Sequence, residues 1–212
     1  ANTLRLALSG QLGPDALASD GMAAALQLCV SCKACRRECP TGVDMARMKI
    51  EVQAARAAKH GISLRDRLVG YLPRYAPYAA KFAPLLNLRN KSIALRRLMQ
   101  AATGFSEHRQ LPTWRRDVFS PRRLPAGSPE GSRKAAVKEV VLLADTFNRY
   151  FERENLDAAI AVLEAAGYTV HVAGAADGSK RALCCGRTFL SVGLVDEARK
   201  EAEREVDRLS KL

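Results

Sequence analysis

Four cysteines fall within eleven residues, Cys29-Val-Ser-Cys32-Lys-Ala-Cys35-Arg-Arg-Glu-Cys39, and Pro40 follows the last of them. The spacing is C-x2-C-x2-C-x3-C-P, the ligand run of bacterial iron-sulfur proteins, in which the final Cys-Pro can serve a second cluster. Each iron of a cubane core takes one thiolate, and two intervening residues let consecutive sulfurs reach different corners of that core. Electron transfer is therefore the first reading. Lys33, Arg36 and Arg37 add positive charge that favours thiolates and partly offsets an anionic cluster.

Three other readings compete. A zinc site pairs two C-x-x-C hooks across a longer spacer or adds histidines, and this run does neither. A disulfide cluster needs pairing geometry that four cysteines crowded onto one turn reach only with strain. Coincidence has to account for the proline as well as the four spacings. The sequence thus proposes Cys29, Cys32, Cys35 and Cys39 as ligands of a 4Fe-4S cluster.

A 212-residue chain with 48% apolar residues has room for one large or two small domains. No run of about 18 apolar residues offers a membrane span, and residue 1 onward does not read as a signal peptide. Reduced, metal-type cysteines then point to the cytoplasm, with peripheral attachment to the inner membrane as the variant. The net charge of +12 is local: residues 61–138 hold 16 Lys and Arg against 4 Asp and Glu, and the rest of the chain holds 18 of each. Without a recognisable nucleic-acid fold, that charge reads as a solvated or docking surface rather than a nucleic-acid site.

The chain divides into three parts, and the fold class expected is α+β. Residues 1–103 read as all helical. Pro14 to Leu28 forms a helix delivering Cys29 to the loop, and Thr41 caps a second helix whose Val43, Ala46, Ile50, Ala54 and Ala57 share one face. Gly61 ends that helix. Met45 and Met48 stand near the cluster or in an ordinary core, and His60 is a helix-end residue rather than a ligand. Shorter helices broken by Pro73, Pro77 and Pro84 follow, with Leu85, Leu86, Leu88, Ile93, Leu95 and Leu98 available for burial.

Residues 104–136 form a basic linker rich in Pro and Gly, exposed and mobile around Ala126 to Lys134, with Trp114 and Phe119 pinning its first half. Residues 137–212 change character. Val140 to Ala144 reads as a strand buried on both faces, a helix through Leu156, Ala159, Ile160 and Leu163 ends at Gly167, and Tyr168 to Ala173 is a second strand. A crossover helix makes such strands parallel and puts Asp145 at a carboxyl edge, where sites gather. The last helix, from about Ser191, places Val195, Ala198, Ala202, Val206 and Leu209 on one face. Cys184 and Cys185, before Gly186, read equally as metal ligands, a redox pair or small buried residues.

The cysteine run with Thr41-Gly42-Val43-Asp44-Met45-Ala46, the stretch Leu143-Ala144-Asp145-Thr146-Phe147-Asn148-Arg149-Tyr150-Phe151, and Leu183-Cys184-Cys185-Gly186-Arg187-Thr188-Phe189 together resemble the C-terminal iron-sulfur half of bacterial FAD-linked oxidases. These are relatives of the D-lactate and D-2-hydroxyglutarate dehydrogenases and, more distantly, of the glycolate oxidase iron-sulfur subunit. The resemblance covers almost the whole chain. It implies a helical ferredoxin-like domain followed by a CCG-type cysteine-rich α/β domain, one lobe of two.

It also implies an oxidoreductase part with no catalytic residue of its own. FAD would lie on a missing part or a partner chain, and a quinone or an electron-transfer protein would be the acceptor. A second cluster would be shared with a motif upstream of residue 1. Two departures matter: the cysteine usual about 39 residues before the pair is Asp145 here, and the second CCG repeat is missing. The alternatives are a docking scaffold with a structural cluster and a component similar to heterodisulfide reductase.

Overall fold

The computed structural model describes residues 2–120, 138–174 and 181–210. In chain order these form α1 (Asn2–Leu8), a 3-10 turn (Ala16–Ala18), α2 (Asp20–Leu26), α3 (Ala34–Glu38), α4 (Met45–His60), α5 (Leu64–Gly70), α6 (Leu72–Lys81), α7 (Ala83–Lys91) and α8 (Ile93–Thr103). There follow β1 (Lys138–Leu142), α9 (Thr146–Tyr150), α10 (Arg153–Ala165), β2 (Tyr168–Val172), α11 (Arg187–Leu190) and α12 (Val195–Leu209). Among the described residues the protein is mostly helical with one small parallel sheet, an α+β composition. Two compact units emerge, Ala1–Leu72 with Gly186–Lys200, and Pro73–Cys185 with Glu201–Leu212.

In the first unit, capping chemistry sets the helix ends. The single helix expected over Pro14 to Leu28 is two pieces. Ser19 adopts an extended backbone and its hydroxyl accepts the Met22 N–H at 3.2 Å, which starts α2 afresh. Asp44, not Thr41, caps α4, accepting from the Arg47 N–H at 2.9 Å. Gly61 ends α4 as expected, at φ +74 with its N–H bonded to the Ala57 carbonyl. Leu4, Met22, Leu26 and Val52 make the core, and Met45 and Met48 pack against it, the commoner role for methionine.

Two glycines are obligatory in this unit. Gly193 has φ +81, and a Cβ there would lie 2.4 Å from the Gln53 carbonyl oxygen; Gly186 has φ +76, and a Cβ would meet the Ala198 carbonyl oxygen at 2.6 Å.

In the second unit, Pro73 and Pro84 sit in the first turns of α6 and α7, where an N–H is not needed. Pro77 lies inside α6, so it does not break the helix as expected. The leucine stripe also departs from expectation: Leu85, Leu86, Leu88, Ile93, Leu95 and Leu98 are all exposed, Leu85 and Leu98 by 65%.

Trp114 does pin its segment. Its ring lies 4.6 Å from that of Phe151, and Asn87 bonds the Trp114 backbone in both directions. Phe119 is buried with Ala144 and Leu156. The part of the linker expected to be mobile, Ala126 to Lys134, lies outside the described residues.

The two strands pair in parallel, Val140 opposite Val170, with α10 as the crossover. The first starts two residues earlier than expected. It is not buried on both faces: Lys138, Glu139 and Val141 are exposed, because in a two-stranded sheet each strand is an edge. The last helix is rotated from the expected stripe. Ala198 and Glu201 are buried, whereas Ala202 and Val206 face solvent.

Candidate metal centre

Cys29 follows α2 by three residues, its N–H returning to the Leu26 carbonyl at 3.1 Å. From there to α3 the backbone is irregular, and both Ser31 (φ 58) and Lys33 (φ 62) are left-handed without being glycine. Each such residue costs roughly 1–2 kcal/mol, a strain that collects at functional loops. The two turns flank Cys32, which is exposed. Lys49, on α4, donates its ammonium N–H to the Cys29 carbonyl and so ties the start of the loop to the long helix.

Cys35 lies within α3, and its sulfur accepts the Met45 N–H at 3.3 Å. Cys39 ends α3 and opens a turn closed by the Gly42 N–H to its carbonyl at 2.9 Å. The Thr41 hydroxyl stands 3.1 Å from the Cys39 sulfur. That hydroxyl, then the backbone N–H groups of Val43, Thr41 and Gly42, hold the Cys39 thiol below its ordinary pKa by stabilising the thiolate. Thr41 therefore serves the sulfur rather than the helix.

A thiol whose folded pKa is depressed contributes stability above its unfolded pKa and loses it as pH falls through the folded value. In Thr41→Val the Cys39 pKa rises, and alkylation of Cys39 by iodoacetamide in the metal-free chain at pH 7.5 slows by about threefold or more. Equal rates in the two proteins would remove the hydroxyl from the account.

The donor chemistry fits a thiolate-bound iron cluster: four sulfurs in one loop, with hydrogen-bond donors aimed at two of them, a recognised means of tuning such clusters. The positions are looser than a metal cage. Among the described residues no group of three or more Cys, His, Asp or Glu side chains is drawn together closely enough to hold a metal ion. Cysteine loops of this kind and their metals order together, since bonds to the ion supply the energy that gathers the ligands.

The second cysteine motif splits between two environments. Cys184 is buried and Cys185 exposed, so adjacent thiols meet different surroundings. Asp145 caps α9. Its carboxylate accepts from the backbone N–H groups of Phe147 at 2.8 Å and Asn148 at 3.2 Å, and from the Asn148 side chain.

Some features of the protein escape pattern reading. Glu201 is 99% buried, its carboxylate contacted by Arg181, by Arg74 at 3.3 Å and by Arg204 at 3.6 Å. On a charged helix its position, three residues after buried Ala198, was the available signal. Lys49 had none, because a lysine that binds a backbone carbonyl leaves no periodic trace. No family model, curated protein or solved structure matches the chain.

Proposed function

We propose that this chain is the iron-sulfur electron-transfer module of an FAD-dependent 2-hydroxyacid dehydrogenase. A helical ferredoxin-like domain would hold a 4Fe-4S cluster, and a CCG-type domain would follow it. The observation that carries the proposal is the four-cysteine loop itself: its sulfurs receive N–H and O–H donors, and two left-handed non-glycine residues shape its backbone. When bound, the cluster supplies a one-electron carrier.

The chain's own residues then have separable tasks. Cys29, Cys32 and Cys35 hold the cluster of this loop, and Cys39 holds the same cluster or the one shared with an upstream motif. Met45 N–H and Thr41 O–H neutralise charge on sulfur. Lys49 anchors the loop to α4. Hydride abstraction from the hydroxyacid belongs to the flavin partner, and Cys185, the exposed member of the pair, is the one accessible to a redox partner. Among the described residues no helix is long and apolar enough to cross a membrane. A site of action in the cytoplasm or at the inner-membrane surface is part of the proposal.

A second reading, a docking scaffold with a structural cluster, draws on one observation. The exposed Leu85, Ile93 and Leu98 lie on two helices that also carry exposed Lys91 and Arg97 and half-buried Arg96, a mixed apolar and basic surface. Redox titration followed by electron paramagnetic resonance separates the two readings. Electron transfer predicts reversible one-electron reduction with the fold retained, and a cluster reducible only on unfolding would favour the scaffold.

A further inference from the structure

A cavity of about 600 Å³ opens in the first unit between α2, α4 and the turn that leads into α5. Its volume is that of a small-molecule site. Leu26, Val52 and Val192, all buried, supply apolar walls. Polar side chains line it too: Arg56 is engaged by the Ala18 carbonyl and Asp20, Ser63 bonds Asp66, and Gln27 stands at the end of α2. Lys49, Gln53 and His60 each offer a definite hydrogen-bonding sense.

Lys49 gives one N–H to the Cys29 carbonyl and has further N–H donors on the same nitrogen. The Gln53 amide nitrogen donates to the Ser191 carbonyl at 2.9 Å, which leaves its oxygen as an acceptor. His60 places Nε2 3.2 Å from the Ala18 carbonyl oxygen. That oxygen can only accept, so Nε2 carries the hydrogen and Nδ1 of the neutral ring is an acceptor.

A ligand suited to this lining has a flat apolar body, a carbonyl oxygen for Lys49, and in its other redox state a hydroxyl that donates to His60 or Gln53. We propose that the cavity binds the headgroup of a quinone acceptor. The inference rests on the electron-transfer reading, and the two meet at Lys49, which lines the cavity and is bonded to the first cysteine of the ligand run. Reduction of the bound quinone to quinol takes two electrons, released at the flavin partner by oxidation of the hydroxyacid, and two protons from water.

The test is titration of the full chain, purified anaerobically with its metal, with a short-tailed benzoquinone, followed by ¹H–¹⁵N nuclear magnetic resonance. Expected are saturable shifts centred on α4 and the turn after it. Ala57→Phe, which fills the cavity from α4, should weaken binding at least tenfold, and Ala23→Leu, from α2, should do likewise. His60→Ala should weaken it about fivefold, with far-UV circular dichroism of each variant matching the parent.

Unsaturable shifts, binding indifferent to both cavity-filling variants, or preferential binding of flavin mononucleotide would overturn the site. Iron and sulfide assayed in the same sample keep the two ideas apart. A chain that holds iron but ignores quinone sinks the site alone, and one that binds quinone without iron sinks the electron-transfer reading while supporting the site.

Discussion

Cys32→Ser should leave the protein with less than about a tenth of the parent's iron after anaerobic reconstitution, and without the broad absorption near 400 nm expected of thiolate-bound iron. The size of the effect follows from the loop. Cys32 lies between Ser31 and Lys33, the two left-handed residues, so the backbone commits this one residue to the middle of the run. No neighbouring side chain can replace it. The other two described cysteines, Cys184 and Cys185, belong to a different compact unit from the loop. Iron and 400 nm absorbance retained at parental levels in Cys32→Ser would remove this residue from the ligand set.

The second large effect is on stability. Glu201→Ala should destabilise the second unit by about 3 kcal/mol, at the lower end of the cost of breaking a buried ion pair, because its arginine partners keep partial access to water. Three guanidinium groups would then face one another without the carboxylate that gathers them. Calorimetry should show the transition lowered by about 10 °C. Glu201→Gln, which keeps the shape and removes the charge, should recover only part of the loss. A shift under about 2 °C in both variants would mean that the arginines are held by other contacts and that the carboxylate contributes little.

What could be read from residues alone was local. Gly61 ended its helix where a left-handed glycine is expected, and the apolar runs around Val140 and Val170 paired in parallel across a helix, as a βαβ connection requires. Side-chain competition was harder to foresee. Thr41 and Asp44 both suit a helix cap, and the hydroxyl is taken by the Cys39 sulfur, which leaves the cap to Asp44. Ser19 likewise divides a stretch whose periodicity runs straight through it.

Burial was least legible of all. The leucines of α7 and α8 repeat as a core face would, yet they stay exposed, since periodicity identifies a face and not what covers it. On α12 the buried row is Ala198 and Glu201, with Arg204 half-buried, because a carboxylate with three arginine partners can enter an interior that a lone one cannot. For the candidate metal centre, the four cysteines and their order were plain in the chain. The donor to Cys35 and the tie from Lys49 come from α4, a helix that pattern alone does not place against the loop, and the donor to Cys39 comes from Thr41 in the turn before it.

The most direct test of the central claim is metal and sulfide analysis of the anaerobically purified chain. The account predicts about four irons and four acid-labile sulfides per chain, in keeping with one four-iron cluster on the Cys29 to Cys39 loop, and no stoichiometric zinc. One zinc per chain with no sulfide would contradict it.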